Sequence, residues 1–420
     1  MKKELVIIAG SCYPNCSATG AIALKYADYL INVFNVRLIA IQEGNEKAYN
    51  LRFRNVSVYT LTQWRLRAAQ ISHDNARNAR GIQRAFYHFF YTFLRIIGRL
   101  QSFLFFPDNC WWYQRKAFSL LERLNTDKKI DVILSFSAPI ESHFAARRYK
   151  LLHPSVRWVS YWGDLYSSSE FKLNIFSTIE KLKATEKMLI QESDCALMTE
   201  EVHDILYSRY KDVLQTPLIR IPYTLDRHAL QRQNSSQINK VDSISFIYMG
   251  SFYRHLRNPE YMLKLFTFKD HTDFILHLYS QGDCDDIVKK YTELSDGHII
   301  DHGIVSPAEL DYALQEADIL INIENLIKTS RPSKLLQLMS YRKPIVDFCY
   351  SGYHSPLLKL YPLVTEIEIG NDLEESYQKL HDAVKQINQE IDIEYMMKSY
   401  RTYTEENVSS IVFDAVKGMS

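Results

Sequence analysis

Short apolar runs, each followed by a turn and then a helix-length stretch, recur along almost the whole 420-residue chain. That alternation leaves few folds open, because parallel strands need a crossover between them and the usual crossover is a helix. Residues 4–9 form the first run and end at Gly10; a polar turn covers 11–20, and a helical pattern follows from about 21 to 33. Further strands are predicted at 36–41, 56–60, 131–137, 157–163 and 195–199, with a helix after Pro139 reaching about 149. The rhythm restarts with strands at 245–250, 274–280, 299–303, 318–323 and 344–348. Helices are predicted at 259–267, 307–316 and 333–340, and two helical runs close the chain, the last from about 404. Such a pattern predicts an α/β fold with parallel sheets covered by helices on both faces.

The length exceeds the ~250–300 residues at which one core stops growing. Two Rossmann-like domains with an interdomain cleft are therefore expected. The polar stretch 228–243, rich in Gln, Asn and Ser, reads as the linker. It divides an N-terminal domain (1–227) from a second one (244–395), with a closing helix in 396–420.

Charge narrows the function classes. Lys+Arg total 50 against Asp+Glu 49, so nothing in the balance favours nucleic acid. The six cysteines are scattered, and Cys12 and Cys16 form a C-x3-C pair with no second pair nearby. Free thiols in a reducing cytosol are the expectation, with no metal site. No stretch reaches 18 uncharged apolar residues, and the short start before the first strand does not read as a signal peptide. A cytoplasmic location is expected.

One region breaks the pattern. Residues 50–115 hold ten arginines, no lysine, and only Asp74 and Asp108 as acids, an excess of +8. Within the helical segment 64–106, Phe86, Phe89, Phe90, Phe93, Ile97 and Leu100 recur at helical spacing among Arg95 and Arg99. Two readings stay open: a core helix of the first domain, or a basic aromatic surface resting on the inner face of an anionic membrane.

Candidate chemistry lies just beyond strand ends, where open α/β sheets bind ligands. Gly250 and Ser251 close the strand SFIYMG, and Arg254 and Arg257 follow in the next loop. Guanidinium groups grip phosphate bidentately and stay charged. Ser333 is placed to cap the next helix, and Lys334 falls in its first turn, an unfavourable place for a cation unless an anion shares the site. In the first half, His143 follows the strand DVILSFS and Asp164 follows WVSYWG. The histidine is a candidate to orient a sugar hydroxyl, the aspartate to hold or deprotonate an acceptor.

These segments resemble glycosyltransferases of family 4 type with the GT-B fold, close to bacterial enzymes of capsule and surface-polysaccharide assembly. The resemblance runs through SCYPNCSATG, DVILSFSAPIESHFAARRY and WVSYWGDLYS, and is closer in MGSFYRHLRNPEYMLKLF, HGIVSPAELDYALQEADILINI and RPSKLLQLMSYRKPIV. It implies that Arg257 or Arg254, with Lys334, binds the diphosphate of a nucleoside-diphosphate sugar. It implies also that Gly250 permits close approach and that His143 contacts the transferred sugar. Transfer to a glycan or lipid-linked acceptor with retention is implied, without an essential metal or other cofactor. The final stretch YTEENVSSIVFDAVKG resembles the helix that returns to the first domain. Where many members carry two glutamates with seven residues between them, this chain has Thr329 and Gln337. Gln337 can still hydrogen-bond a ribose hydroxyl, and Glu324 is the nearest substitute for the missing carboxylate. A non-catalytic glycan- or nucleotide-binding relative and a nucleotide-sugar 2-epimerase are the alternatives.

Overall fold

The computed structural model describes residues 2–12, 17–42, 50–53, 55–62, 64–104, 111–168, 178–232, 243–269, 273–326, 334–351 and 355–418. The chain divides into two compact units, residues 1–221 with 409–420, and residues 222–408.

The first unit runs β1 (Lys3–Ser11), α1 (Ala18–Leu30), β2 (Phe34–Ile41), β3 (Asn50–Phe53), β4 (Val56–Leu61), α2 (Trp64–Asn78), α3 (Gly81–Leu104) and α4 (Trp111–Asp127). It continues with β5 (Val132–Ser137), α5 (Glu141–Leu152), β6 (Arg157–Trp162), α6 (Ile179–Glu192), β7 (Cys195–Met198), α7 (Glu200–Tyr210) and β8 (Leu218–Arg220). The strands form one sheet in the order β3-β4-β2-β1-β5-β6-β7-β8, parallel except for β3 on β4. All six residues of β5 are buried, as a central strand covered on both faces requires. Residues 409–420 also belong here, and the Ala415 carbonyl accepts from Arg157 Nε at 2.9 Å.

The second unit runs α8 (Arg227–Gln231), β9 (Ile244–Phe252), α9 (Glu260–Phe266), β10 (Phe274–Gly282), α10 (Asp285–Leu294), β11 (Ile299–Asp301), α11 (Pro307–Glu316) and β12 (Ile319–Ile323). Then come α12 (Leu335–Met339), β13 (Ile345–Cys349), β14 (Val364–Glu368), α13 (Leu373–Val384), α14 (Ile393–Ser399) and α15 (Glu405–Lys417), whose last residues lie in the first unit. Its sheet is wholly parallel, in the order β11-β10-β9-β12-β13-β14. The pleat explains why β9 reads as an unbroken apolar run. Phe246, Tyr248 and Phe252 enter one core cluster while Ile247 and Met249 enter the cluster on the opposite face. Two parallel-sheet Rossmann-like units with surrounding helices are thus present, as the alternation predicts.

Some expectations change. Residues 228–231, expected in the linker, belong to α8, where Asp226 caps the helix and Ala229 and Leu230 are buried; residues 233–242 lie outside the described residues. The chain closes with three helices rather than two, because Asp372 and Asp392 each cap a separate run before α15. The helix expected over 333–340 is shorter, beginning at Leu335.

α3 settles one of the open readings. It packs along α2 by a narrow seam that includes Leu94 and Gly98, and Arg65 of α2 donates to the Leu94 carbonyl at 3.3 Å. A Cβ on Gly98 would meet that guanidinium at 2.3 Å. The phenylalanines point elsewhere: Phe86, Phe89 and Phe93 are all exposed, so α3 is not a core helix.

Gly20 holds the first loop against α1. A Cβ there would lie 2.0 Å from the Ser11 carbonyl oxygen, which is backbone and has little freedom to yield. Ser17 caps α1 by accepting from the Gly20 N–H at 3.0 Å. Gly20→Ala should therefore destabilise the first unit by about 1–3 kcal/mol, seen as a lower urea midpoint. An unchanged midpoint would show that the loop relaxes freely.

Candidate functional site

In the second unit, the C-terminal ends of β9, β12 and β13 converge with the start of α12. Gly250 lies at φ +154°, and a Cβ there would come within 2.8 Å of the Tyr248 hydroxyl. A glycine is required by both conformation and space. The chain then folds back on itself, with Tyr253 and Arg257 forming an isolated bridge. That turn brings Arg257, half-buried, inward over the sheet edge. Its Nε and Nη2 donate to Asn325 Oδ1 at 3.0 and 2.7 Å, and Nη1 reaches the Ser251 carbonyl at 3.4 Å.

Lys334 stands at the N-cap position of α12. Although the residue as a whole is exposed, its ammonium is desolvated, and that, with the nearby Arg257 charge, lowers its pKa from the ordinary value. Among the described residues neither cation is paired with a carboxylate. Tyr248 and Tyr350 border the same guanidinium: burial pushes the Tyr248 phenol up to about 12 and raises that of Tyr350, with Arg257 opposing each rise. Among the described residues, two like charges stand close here without a carboxylate counter-ion, an arrangement suited to an anion.

Arg254 differs. It is exposed, it pairs with Asp286 at 2.5 Å, and its backbone N–H donates to Asp283. Its charge is already compensated, so the structure separates two arginines that the sequence leaves equivalent. Ser251 contributes its carbonyl to Arg257, and its hydroxyl lies 3.5 Å from Gln281 Nε2. Gln337 is half-buried in α12, one turn beyond Lys334. Ser333 and Thr329 lie outside the described residues.

Glu324 is not a surface carboxylate. It is 1% exposed, and Asn322 Nδ2 bridges its Oε1 at 3.1 Å to Asp347 Oδ1 at 2.6 Å. Burial first, then the neighbouring Glu324 charge, drives the Asp347 carboxyl well above the ordinary carboxylate range. Strand pairing explains the meeting, since Asn322 and Asp347 are register partners on β12 and β13. Glu324 thus belongs to a buried acidic pair beneath the strand ends.

Sequence reasoning missed Asn325, Tyr248 and Asp347. The available signal was polar residues where apolar strands end: ILINI passes straight into Glu324 and Asn325, and Asp347 interrupts IVDFC.

The first unit carries the other two predicted residues, one in a loop after a strand and one on the helix after its neighbour. Asp164 is exposed in the loop after β6. His143 is fully buried on α5, with its ring centroid 4.5 Å from that of Trp162. Its Nδ1 lies 2.7 Å from the Ser135 hydroxyl, which also accepts from Trp158 Nε1 at 2.8 Å. α5 turns this face into the core. Desolvation lowers its pKa from 6.5 to about 3, with the Tyr161 backbone opposing. Among the described residues no group of three or more His, Cys, Asp and Glu side chains could hold a metal ion.

Neither a protein-family profile nor a curated protein matches the sequence. Solved structures do. The chain is similar to sucrose-phosphate synthase from Thermosynechococcus elongatus over 99% of both chains, with a TM-score of 0.65 and 11% identity. A glycosyltransferase from Rickettsia africae aligns over 100% of this chain and 99% of its own, at TM-score 0.57 and 10% identity. The lipopolysaccharide outer core galactosyltransferase WaaB in its apo form aligns over 99% and 100%, at 0.54 and 12%. At these identities the likeness establishes the fold, which is GT-B.

The buried imidazole makes stability pH-dependent. Because its folded value lies below the unfolded one, the unfolded chain binds a proton that the folded chain excludes. The contribution is complete above about pH 6.5 and drains as pH falls toward 3, at up to roughly 1 kcal/mol per pH unit. His143→Gln should therefore show a smaller loss of first-unit urea midpoint than the parent protein between about pH 6.5 and pH 4.5. Equal losses would refute the assignment.

Proposed function

We propose that this protein is a glycosyltransferase that moves a sugar from a nucleoside-diphosphate sugar to a hydroxyl of a glycan or lipid-linked acceptor, in surface-polysaccharide assembly. The observation that carries the reading is the pairing of Arg257 with Lys334 at the strand ends, with no carboxylate among the described residues to neutralise either. The fold shared with solved glycosyltransferases supports it.

In this reading the diphosphate lies against the Arg257 guanidinium and the Lys334 ammonium. Gly250 admits it close to the backbone, and Gln337 faces the ribose. The bond between the anomeric carbon and the β-phosphate oxygen breaks, and one forms from that carbon to the acceptor oxygen. The acceptor's proton passes to the departing phosphate. The two cations stabilise the charge that grows on the leaving group, and they act more strongly once water is excluded. The anomeric configuration is retained, and Asp164 is the acceptor-side residue of the proposal.

A non-catalytic binding protein is the second reading, favoured by Gln337 at a usual glutamate position and by the burial of Glu324. Incubation with a bound donor separates the two: transfer or donor hydrolysis supports the enzyme, and neither supports the binder.

A thermal-shift panel of nucleoside-diphosphate sugars should yield one stabilising donor. Lys334→Ala and Arg257→Ala should each weaken it roughly ten- to a hundred-fold. Arg254→Ala should change affinity by less than either, because its charge is already held by Asp286. Equal losses at Arg254 and Arg257 would displace the diphosphate from the proposed position. No shift with any donor or with free nucleoside diphosphates would sink the reading.

A further inference from the structure

α3 carries more apolar surface than its packing uses. It is 24 residues long, and among its side chains Ile82 is 89% exposed, Phe89 69% and Phe86 62%, with Phe93, Ile96 and Leu100 exposed as well. At about 100° per residue these six positions fall on one stripe along the helix. Phe86 stacks with Phe90 and Phe89 with Phe93, each pair at a centroid distance of 6.4 Å, so the face is a continuous aromatic ridge. The seam toward α2 lies on a different side, and Arg84, His88 and Arg95 are exposed on the remaining face. A patch of this size and continuity marks an interaction surface.

Charge decides what covers it. Residues 64–104 contain seven arginines against Asp74 as the one acid, a net +6. A second copy of the chain docked on this ridge would bring two such surfaces together. An anionic bilayer offers the complementary charge, and its acyl boundary accepts phenylalanines without the shape complementarity that a protein partner demands. No helix among the described residues is long and apolar enough to cross a membrane, and α3 carries three arginines, so it lies on a surface and does not span it. We infer that α2 and α3 form an in-plane membrane anchor, with the Phe86–Phe89–Phe93 ridge entering the boundary between headgroups and acyl chains and the net positive charge of the segment drawing it to an anionic surface. Trp64, 71% exposed at the start of α2, has the amphipathic character suited to the same interface. The inference goes beyond the transferase reading and does not depend on it, since the donor site lies in the other unit.

Flotation of the full chain with vesicles tests it. Vesicles of phosphatidylcholine containing about one third phosphatidylglycerol should carry the protein at low salt, and pure phosphatidylcholine should not. The triple variant Phe86→Ser, Phe89→Ser, Phe93→Ser alters exposed positions alone, so its thermal unfolding should match the parent's while vesicle binding falls at least roughly ten-fold. Arg84→Gln with Arg95→Gln, which leaves the ridge intact, should weaken binding to anionic vesicles by at most roughly five-fold per arginine and reduce its salt dependence. Any one of three results would overturn the inference. The first is no flotation with anionic vesicles. The second is equal flotation with neutral ones. The third is a concentration-dependent dimer by light scattering that the triple variant abolishes while vesicle binding stays absent.

Discussion

A wholly parallel sheet cannot leave a face to water, because its central strands are apolar on both sides, and that constraint organises the second unit. β9 feeds two cores at once, Phe246 and Tyr248 to one and Ile247 and Met249 to the other. Polar side chains on the central strands are then few, and those that occur, Asp347 in the middle of β13 among them, need polar partners. At or just beneath the C-terminal ends of β9, β12 and β13 the polar groups gather: Ser251, Asn322, Asn325, Asp347 and the returning Arg257. The candidate site is where the apolar requirement stops.

Within that cluster the electrostatics divide into two layers. Below, Asn322 ties the buried carboxyls of Glu324 and Asp347, and burial first, then the neighbouring Glu324 charge, raises the Asp347 carboxyl well above the ordinary carboxylate range. Above, Asn325 fixes the Arg257 guanidinium through a neutral oxygen. Had a carboxylate filled that role, the arginine would be held as firmly but its charge would be spent, as happens to Arg254 beside Asp286. Fixing a cation with an amide keeps its field available to an incoming anion. At Lys334 desolvation first, and that field second, lowers the pKa from its ordinary value.

Most of the architecture could be read directly, because short apolar runs alternating with helix-length stretches are local signals. SPAE predicts the start of α11, and the structure shows the reciprocal bonds of Ser306 and Glu309. β3, β8 and β14 went unseen, being short strands at or near the sheet edges with few apolar residues to mark them. The site was less legible. Arg254 and Arg257 sit three residues apart in one loop, and only the position of Asp286, far along the chain, tells them apart. His143 was equally hard to place: a histidine after a strand end resembles a ligand, while helical phase, which a short window does not reveal, turns it toward Ser135 and Trp162. Glu324 looked like a spare carboxylate until its register partner on β13 accounted for it.

α3 shows the opposite limit. A helix with a wide aromatic stripe reads the same whether it is covered by its own core or by something outside the chain, because periodicity reports a face and not its neighbour. What separates the cases is the competing demand on the seam. α2 takes Leu94 and Gly98, and Gly98 is small because Arg65 passes over it. With the seam set by a glycine and a buried arginine, the phenylalanines are displaced to the other side of the helix. A soluble core helix would place its largest apolar residues in the seam and its small ones outside. Here the seam takes Leu94, Gly98 and Tyr91, whose ring lies 5.2 Å from that of His73 on α2, yet Phe86, Phe89 and Phe93 still face outward, the arrangement expected when a helix meets an apolar medium beyond its own fold.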